Sequence, residues 1–265
     1  MLKLSDSNNI RDTSMSETSF DDLTDVYEAM IDWPKRLSTE APFFRRLFEQ
    51  SNVKRVADVA CGTGRHAAMF HSWGLDVEGS DISSNMIQRA KETFGEPNGL
   101  RWAVRGFDQA PGPPSSFDAV ICVGNSLALA PDATAAFGAL RHMLGATRPG
   151  GVVIVHVLNL WKFPSGPCVW QKITRTRLAQ GRSLILKGVH RCQHEGYVEL
   201  VVAADDAGNP SIRSHSVRFL GMRAAEMELV ARESAAADLL FFGGHRHQPY
   251  DADNSADLIM VARKG

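Results

Sequence analysis

The spacing of apolar positions changes several times along the chain. Residues 21–50 predict two helical stretches. In the second, from Thr39 to Gln50, Phe43, Phe44, Leu47 and Phe48 recur at helical spacing, and Pro42 fits its first turn. From Val53 to Ala60 the pattern becomes a β-branched run that ends in Cys-Gly-Thr-Gly, a buried strand entering a turn. A helix over 65–73 follows, then a strand over 75–79. Ser83 or Ser84 is placed to cap a helix over 83–94. Strands over 100–104 and 117–123, a helix over 132–145, a turn at Arg148-Pro-Gly-Gly151 and a strand over 152–158 complete this part.

Strands alternating with helices imply parallel βαβ units and an α/β, doubly wound sheet. Between Arg182 and Leu220 the pattern differs. Three strand-like segments, near 182–192, 195–204 and 211–220, follow one another with no helix between them. They predict a small antiparallel β insertion or cap. The chain closes with a helix over 223–233 and strands over 236–242 and 256–263, which suit a terminal hairpin. The organisation reads as a flexible N-terminal arm over 1–20 and a helical lid over 21–50. A core over 51–160, a cap over 161–221 and the rest of the core sheet over 222–265 follow.

Composition narrows the function. The 265 residues carry 29 basic and 30 acidic side chains, a formal net charge of -1. That balance argues against a general nucleic-acid binder. No apolar run is long enough to span a bilayer, and the polar first twenty residues do not resemble a secretion signal. Cys61, Cys122, Cys168 and Cys192 are widely spaced and read as free thiols of a cytoplasmic protein. His190 and His194, or His245 and His247, form close pairs, but neither has a convincing further ligand, so no metal site is expected. A small-molecule substrate is the expected partner; the oligomeric state is open.

The chemistry concentrates at Asp58-Val-Ala-Cys-Gly-Thr-Gly64. Gly62 and Gly64 allow a sharp turn and close approach of a ligand to the backbone, and the next helix offers free N–H groups. With Ala67 they also satisfy the dinucleotide fingerprint GxGxx(G/A), so an NAD-dependent oxidoreductase competes. Asp81, after the second strand, suits two ribose hydroxyls in either case. Phe107 and Asp108 offer an aromatic face and an acceptor for an adenine. Asp58 separates the readings, because a carboxylate there repels a pyrophosphate but accepts an ammonium.

The segments DVACGTG, EGSD, GFD, FDAVICVGNS and RPGG resemble successive motifs of the class I S-adenosylmethionine-dependent methyltransferases, over roughly residues 20–160. The resemblance is greatest to the branch of glycine and sarcosine N-methyltransferases and amino-sugar N-methyltransferases. It implies a mainly parallel seven-stranded, Rossmann-like sheet and S-adenosylmethionine as cofactor. It implies that Asp58, Ala60, Gly62 and Gly64 line the methionine moiety, that Asp81 binds ribose, and that Met86 packs on adenine. Phe107 and Asp108 would lie at the adenine edge, and Cys122, Val123 and Gly124 under the cofactor near the methyl group. The segment from Tyr27 through Trp33 to Arg36 resembles a helix that folds over the cofactor, with Arg36, or next Lys35, on its carboxylate.

For the acceptor, Asn125 and His156 stand at the ends of the fourth and fifth strands, where ligands of open α/β sheets bind, and Tyr27 joins them from the lid. Leu158 stands where the glycine enzymes place an arginine for the substrate carboxylate, so a larger and less acidic acceptor is expected. The expected reaction is N-methylation of a small-molecule amine by in-line displacement. O-methylation and a cofactor-binding protein without activity are the alternatives. No catalytic base is assigned.

Overall fold

The computed structural model describes residues 24–179, 181–206 and 209–265. The arm expected over 1–20 lies outside them. Two helices come first, α1 (Thr24–Met30) and α2 (Trp33–Gln50). The second begins six residues before the apolar spacing announces it. Asp32 caps it by accepting from the Lys35 N–H at 3.1 Å, and Pro34 occupies its first turn. Pro42 is therefore in the interior of the helix rather than at its start. The apolar period becomes visible only where α2 reaches the core, because its first turns face the site.

The elements that follow are β1 (Arg55–Val59), α3 (Arg65–Ser72), β2 (Asp76–Asp81), α4 (Ser84–Phe94), β3 (Leu100–Val104), β4 (Phe117–Cys122), α5 (Ala133–Ala146) and β5 (Thr147–Leu158). Next come β6 (Val169–Leu178), β7 (Gly181–Cys192), β8 (Glu195–Asp206), β9 (Asn209–Leu220), α6 (Ala224–Glu233), β10 (Ala236–Phe242) and β11 (Asp257–Lys264). Two sheets form. The larger has seven strands in the order β10-β11-β5-β4-β1-β2-β3, and the smaller is the antiparallel meander β6-β7-β8-β9. β1 pairs in parallel with β2 and β4, whereas β11 runs antiparallel to β5 and to β10. The expected doubly wound sheet, cap and terminal hairpin are all present.

Two details differ from the sequence reading. The cap has four strands rather than three, because β6 was not recognised. Val169, Trp170 and Ile173 are exposed on this edge strand, so no alternation marks it. The turn expected at 148–151 is absorbed into β5, which starts at Thr147. Gly150 adopts φ +73° there, and the register with β4 shifts between Phe117 and Ala119, the signature of a bulge.

Strand alternation sorts the sheet into two faces. Ala57, Val59, Val120, Cys122, Val153, Val155 and Met260 pack with α5 and α6. Val56, Ala119, Ile121, Val123, Ile154 and Ile259 pack with α2, α3 and α4 around Phe43, Phe44 and Phe70. By the same alternation Asp58, His156 and Asp257 face the α2 side, at the strand ends where the chain reverses direction between β1 and β4.

The opposite end of the sheet is fastened by Asp118. Its carboxylate accepts from the backbone N–H groups of Lys54 and Arg55, each at 2.8 Å, and from Arg148 Nε. These donors hold its carboxyl below the usual range despite partial burial. Asp118→Ala should cost about 2–3 kcal/mol at neutral pH, as charge-assisted hydrogen bonds do. A group with a depressed folded-state value stabilises above its unfolded value, so the cost should shrink as pH falls through the acidic range. Urea denaturation of the two proteins across that range measures it.

Candidate active site

The chain leaves β1 through Ala60, which has φ +57°, and turns through Gly62 and Gly64 at +55° and +81°. An alanine in the left-handed region is strained, and glycine relieves that strain at the other two positions. The glycines differ in use. A Cβ on Gly62 would meet no heavy atom within 4 Å, so its face is open to a ligand. A Cβ on Gly64 would come within 2.4 Å of the Trp102 ring, so its α-carbon is packed against protein.

Asp81, at the end of β2, organises the turn. Its Oδ2 accepts from the Gly62 N–H at 2.8 Å and its Oδ1 from the Ser83 N–H at 2.9 Å. The carboxylate is thus oriented by backbone donors at the position expected to meet a ribose. Ser83 caps α4 through the Met86 N–H, which places Met86 just beyond. Ile82, half exposed beside Asp81, is an apolar surface that the sequence reading did not single out. Phe107 is partly buried against the core and its carbonyl faces His142 Nδ1 at 3.3 Å, whereas Asp108 is exposed.

Asp58 is the anomaly. It is 1% exposed, and neither carboxylate oxygen has a hydrogen-bond partner of standard geometry among the described residues. Burial raises its pKa to about 8, and the Asp81 charge adds to this, while the Ala67 N–H and Arg36 act only weakly the other way. A buried acid with no hydrogen bond of standard geometry marks a place suited to a cation.

The lid is tied to this turn from above. Glu28 on α1 accepts from the Thr63 hydroxyl at 2.5 Å and from Arg65 at 2.7 Å. Trp33 is buried at the start of α2 with its Nε1 unpartnered among the described residues. Arg36 stacks over Trp33 at 5.3 Å, and a Cβ on Gly124 would lie 3.6 Å from its Nη2. Lys35 is exposed, so Arg36 is the cation that the helix directs inward. Arg36 Nε donates to Glu40 at 2.9 Å, and its guanidinium also reaches the Tyr27 hydroxyl. Glu40 is buried and also receives His66 Nε2 at 2.6 Å, so its carboxyl is held well below the ordinary range. His245 packs among Phe43, Phe44 and His156, and burial lowers its pKa to about 4.

At the end of β4, Val123 faces the α2 side and Gly124 adopts φ +81°. Cys122 points the other way. Its thiol is fully buried in the α5 side of the core, so only its backbone faces the expected cofactor position. Asn125 has φ +73°, donates its N–H to the His156 carbonyl and accepts from the Leu158 N–H at 2.9 Å. Its side chain thus staples β4 to β5. His156 Nδ1 accepts from the Gly124 N–H at 3.1 Å, which places the ring proton on Nε2. That atom lies 3.2 Å from Asp257 Oδ1.

The sequence reading missed Glu28, Glu40, His66 and Asp257. All four are polar residues brought in from distant segments. Among the described residues no three His, Cys, Asp or Glu side chains are grouped as for a metal ion, and no helix is long and apolar enough to cross a membrane.

A seven-stranded sheet of this order, with a glycine turn after β1 and an acid after β2, defines a class I methyltransferase domain. Residues 56–151 match the methyltransferase domain family, so the chain carries a class I S-adenosylmethionine-dependent methyltransferase domain. It is 34% identical over 124 residues to a glycine/sarcosine N-methyltransferase from Parasynechococcus marenigrum, a match covering 44% of this chain and 43% of that protein. It is 29% identical over 209 residues to the glycine N-methyltransferase of Oryctolagus cuniculus, covering 71% of each. The chain thus spans less than half the length of the first relative and more of the second. Among solved structures, the CcbJ methyltransferase from Streptomyces caelestis has a TM-score of 0.75 at 19% identity, covering 94% of this chain and 99% of that one. A sugar N-methyltransferase from a Streptoalloteichus species has a TM-score of 0.71 at 20% identity, covering 100% and 99%. These two share the fold.

Asp58 supplies a test of the site. Between the ordinary carboxyl value near ~4 and about 8, the folded protein holds a proton that the unfolded chain has lost. Its stability therefore falls as pH rises across that window and levels off above it. Asp58→Asn should remove this slope, so the ligand-free variant should become progressively more stable than the parent as pH rises to about 8. Denaturation midpoints of both proteins at several pH values check this; parallel curves would mean that Asp58 has a partner in solution.

Proposed function

We propose that the protein transfers a methyl group from S-adenosylmethionine to the amine of a small molecule. The observation that carries the reading is Asp58: a buried carboxylate without a hydrogen bond of standard geometry among the described residues, beneath a glycine turn with an open face. A zwitterionic amino-acid tail brings the missing ammonium, whereas a dinucleotide pyrophosphate brings more negative charge. That disfavours NAD, with which the glycine spacing alone is compatible. The relatives and the fold neighbours named above support the same reading.

The residues present fit the cofactor. Asp58 would take the ammonium, Arg36 the carboxylate, and Asp81 the ribose hydroxyls. Ile82, Met86 and Phe107 would bracket the adenine, with Asp108 at its polar edge. Ala60, Gly62 and Trp33 would line the methionine chain, with Gly64 shaping the turn, and Val123 and the Cys122 backbone would close the floor. When bound, S-adenosylmethionine supplies a methyl already activated by its cationic sulfur. The protein then has to hold the acceptor in line and exclude water.

Tyr27, Asn125 and His156 border the acceptor position. An amine attacks in its neutral form and can shed its proton before it binds. An oxygen acceptor needs a base at the site. His156 is poorly suited to that task, since Nδ1 already accepts from the Gly124 N–H and Nε2 faces Asp257 at 3.2 Å rather than an acceptor hydroxyl. The arrangement therefore favours nitrogen over oxygen.

Adenosylhomocysteine should raise the melting temperature of the protein and NAD should not. Asp81→Ala should weaken adenosylhomocysteine by about 1.5–3 kcal/mol, the worth of charge-assisted hydrogen bonds. Titration calorimetry on the folded variant measures this. Stabilisation by NAD alone would overturn the reading.

A further inference from the structure

On the inner face of the cap sheet Lys187 stands among apolar side chains, with Lys172, His215 and Arg213 at neighbouring register positions of the same face, and it has no ion-pair partner among the described residues. Along β7, Ile185 and Val189 point inward and are 1% and 0% exposed. Lys187 lies between them in the same alternation and shares that face. Across the ladder it sits opposite Leu200 on β8, which is buried, and opposite Lys172 on β6. The surrounding inward positions, Val202 and Val217, pack against Val26 of α1. A cation in such a setting loses hydration, and burial lowers its pKa, with Arg36 and Lys172 adding to the effect.

Charged groups around Lys187 leave positive charge in excess. Arg36 on α2 pairs through Nε with Glu40, and its remaining donors are assigned to the cofactor carboxylate. Lys172 Nζ donates to the Met30 carbonyl at 2.5 Å. The acid that acts on Lys187 is Asp257, whose Oδ1 already lies 3.2 Å from His156 Nε2. Among the described residues, none forms a hydrogen bond or ion pair with the Lys187 ammonium. Asp257 is also the register partner of Leu158. The field of Lys187 thus reaches from the cap to the ends of β5 and β11, where the acceptor site lies.

We propose that Lys187 is a specificity-determining residue that binds an anionic group, a carboxylate, on the amine acceptor. The inference rests on the methyltransferase reading above and adds the charge of the substrate. It runs against the expectation drawn from Leu158 alone. The apolar side chain at the end of β5 removes one source of positive charge, and the cap provides another from the opposite wall. A bound carboxylate supplies the counter-ion that Lys187 lacks, in surroundings where water competes poorly.

The experiment uses matched acceptors, each offered as the free carboxylate and as the primary amide: glycine, sarcosine and bulkier amino acids of both kinds. The parent enzyme should methylate at least one carboxylate with a kcat/KM about tenfold or more above its amide, as one charge-assisted contact allows. Lys187→Met should raise KM for that carboxylate by about the same factor, with little change in kcat and none in KM for the amide. Lys187→Arg should restore much of the preference. Adenosylhomocysteine affinity, measured in parallel, shows that each variant is folded. Equal response to both members of every pair, including no response, overturns the proposal, as does an equal loss on carboxylate and amide in Lys187→Met. Failure of the parent protein to bind adenosylhomocysteine would instead overturn the methyltransferase reading itself.

Discussion

One buried carboxylate fixes the geometry of the site. Glu40 cannot remain charged inside the protein without donors, and it gathers them from two helices: Arg36 from its own and His66 from α3. His245 adds a weaker contact at 4.0 Å. This cluster determines where α2 lies across the strand ends and which way Arg36 points. Removing one member would strand the others in a nearly dry setting. The contrast with Asp58 is instructive. Two acids lie under the same helix; Glu40 is fully served by the chain and Asp58 is not. The first is a structural fastener, and the second is open to a ligand.

A similar imbalance recurs in the cap. Asp58 on the core sheet has no hydrogen bond of standard geometry, and Lys187 on the cap sheet has no ion-pair partner, among the described residues. At the ends of β4 and β5 the Gly124 N–H donates to His156 Nδ1, and His156 Nε2 stands 3.2 Å from Asp257 of β11. Asn125 ties β4 to β5 by accepting from the Leu158 N–H. Its side chain is therefore held in a fixed position.

Much of this architecture was legible in the chain. Strand-to-helix turns carry local signals, and Asp58, Gly62 and Asp81 could be placed from spacing alone, because each sits at the end of a short apolar run. The orientation of Arg36 rather than Lys35 needed the start of α2, which depends on the Asp32 cap and not on the apolar period. The long-range polar contacts were not legible. Glu28, Glu40 and Asp257 are ordinary acids in the sequence, and only tertiary packing brings them to the turn. The edge strand β6 escaped because an exposed strand has no buried face to impose alternation. Lys187 did leave a trace, a single charge within Leu184-Ile-Leu-Lys-Gly-Val189, where alternation fixes the face it shares.

Trp102 on β3 gives the glycine turn a second constraint. Its ring fills the space that a Cβ would need at Gly64 and also at Gly79, where the approach would be 2.6 Å. Its Nε1 is anchored to the Gly95 carbonyl at 2.8 Å, so the ring has little freedom to swing aside. The indole therefore serves as a template against which two neighbouring backbones are pressed. The three positions are bound to change together: an alanine at 79 demands a smaller ring at 102, and a smaller ring leaves a void beneath the turn. Sequence drift on the far side of β2 is in this way limited by the ligand-facing side, although none of the atoms involved needs to touch the ligand.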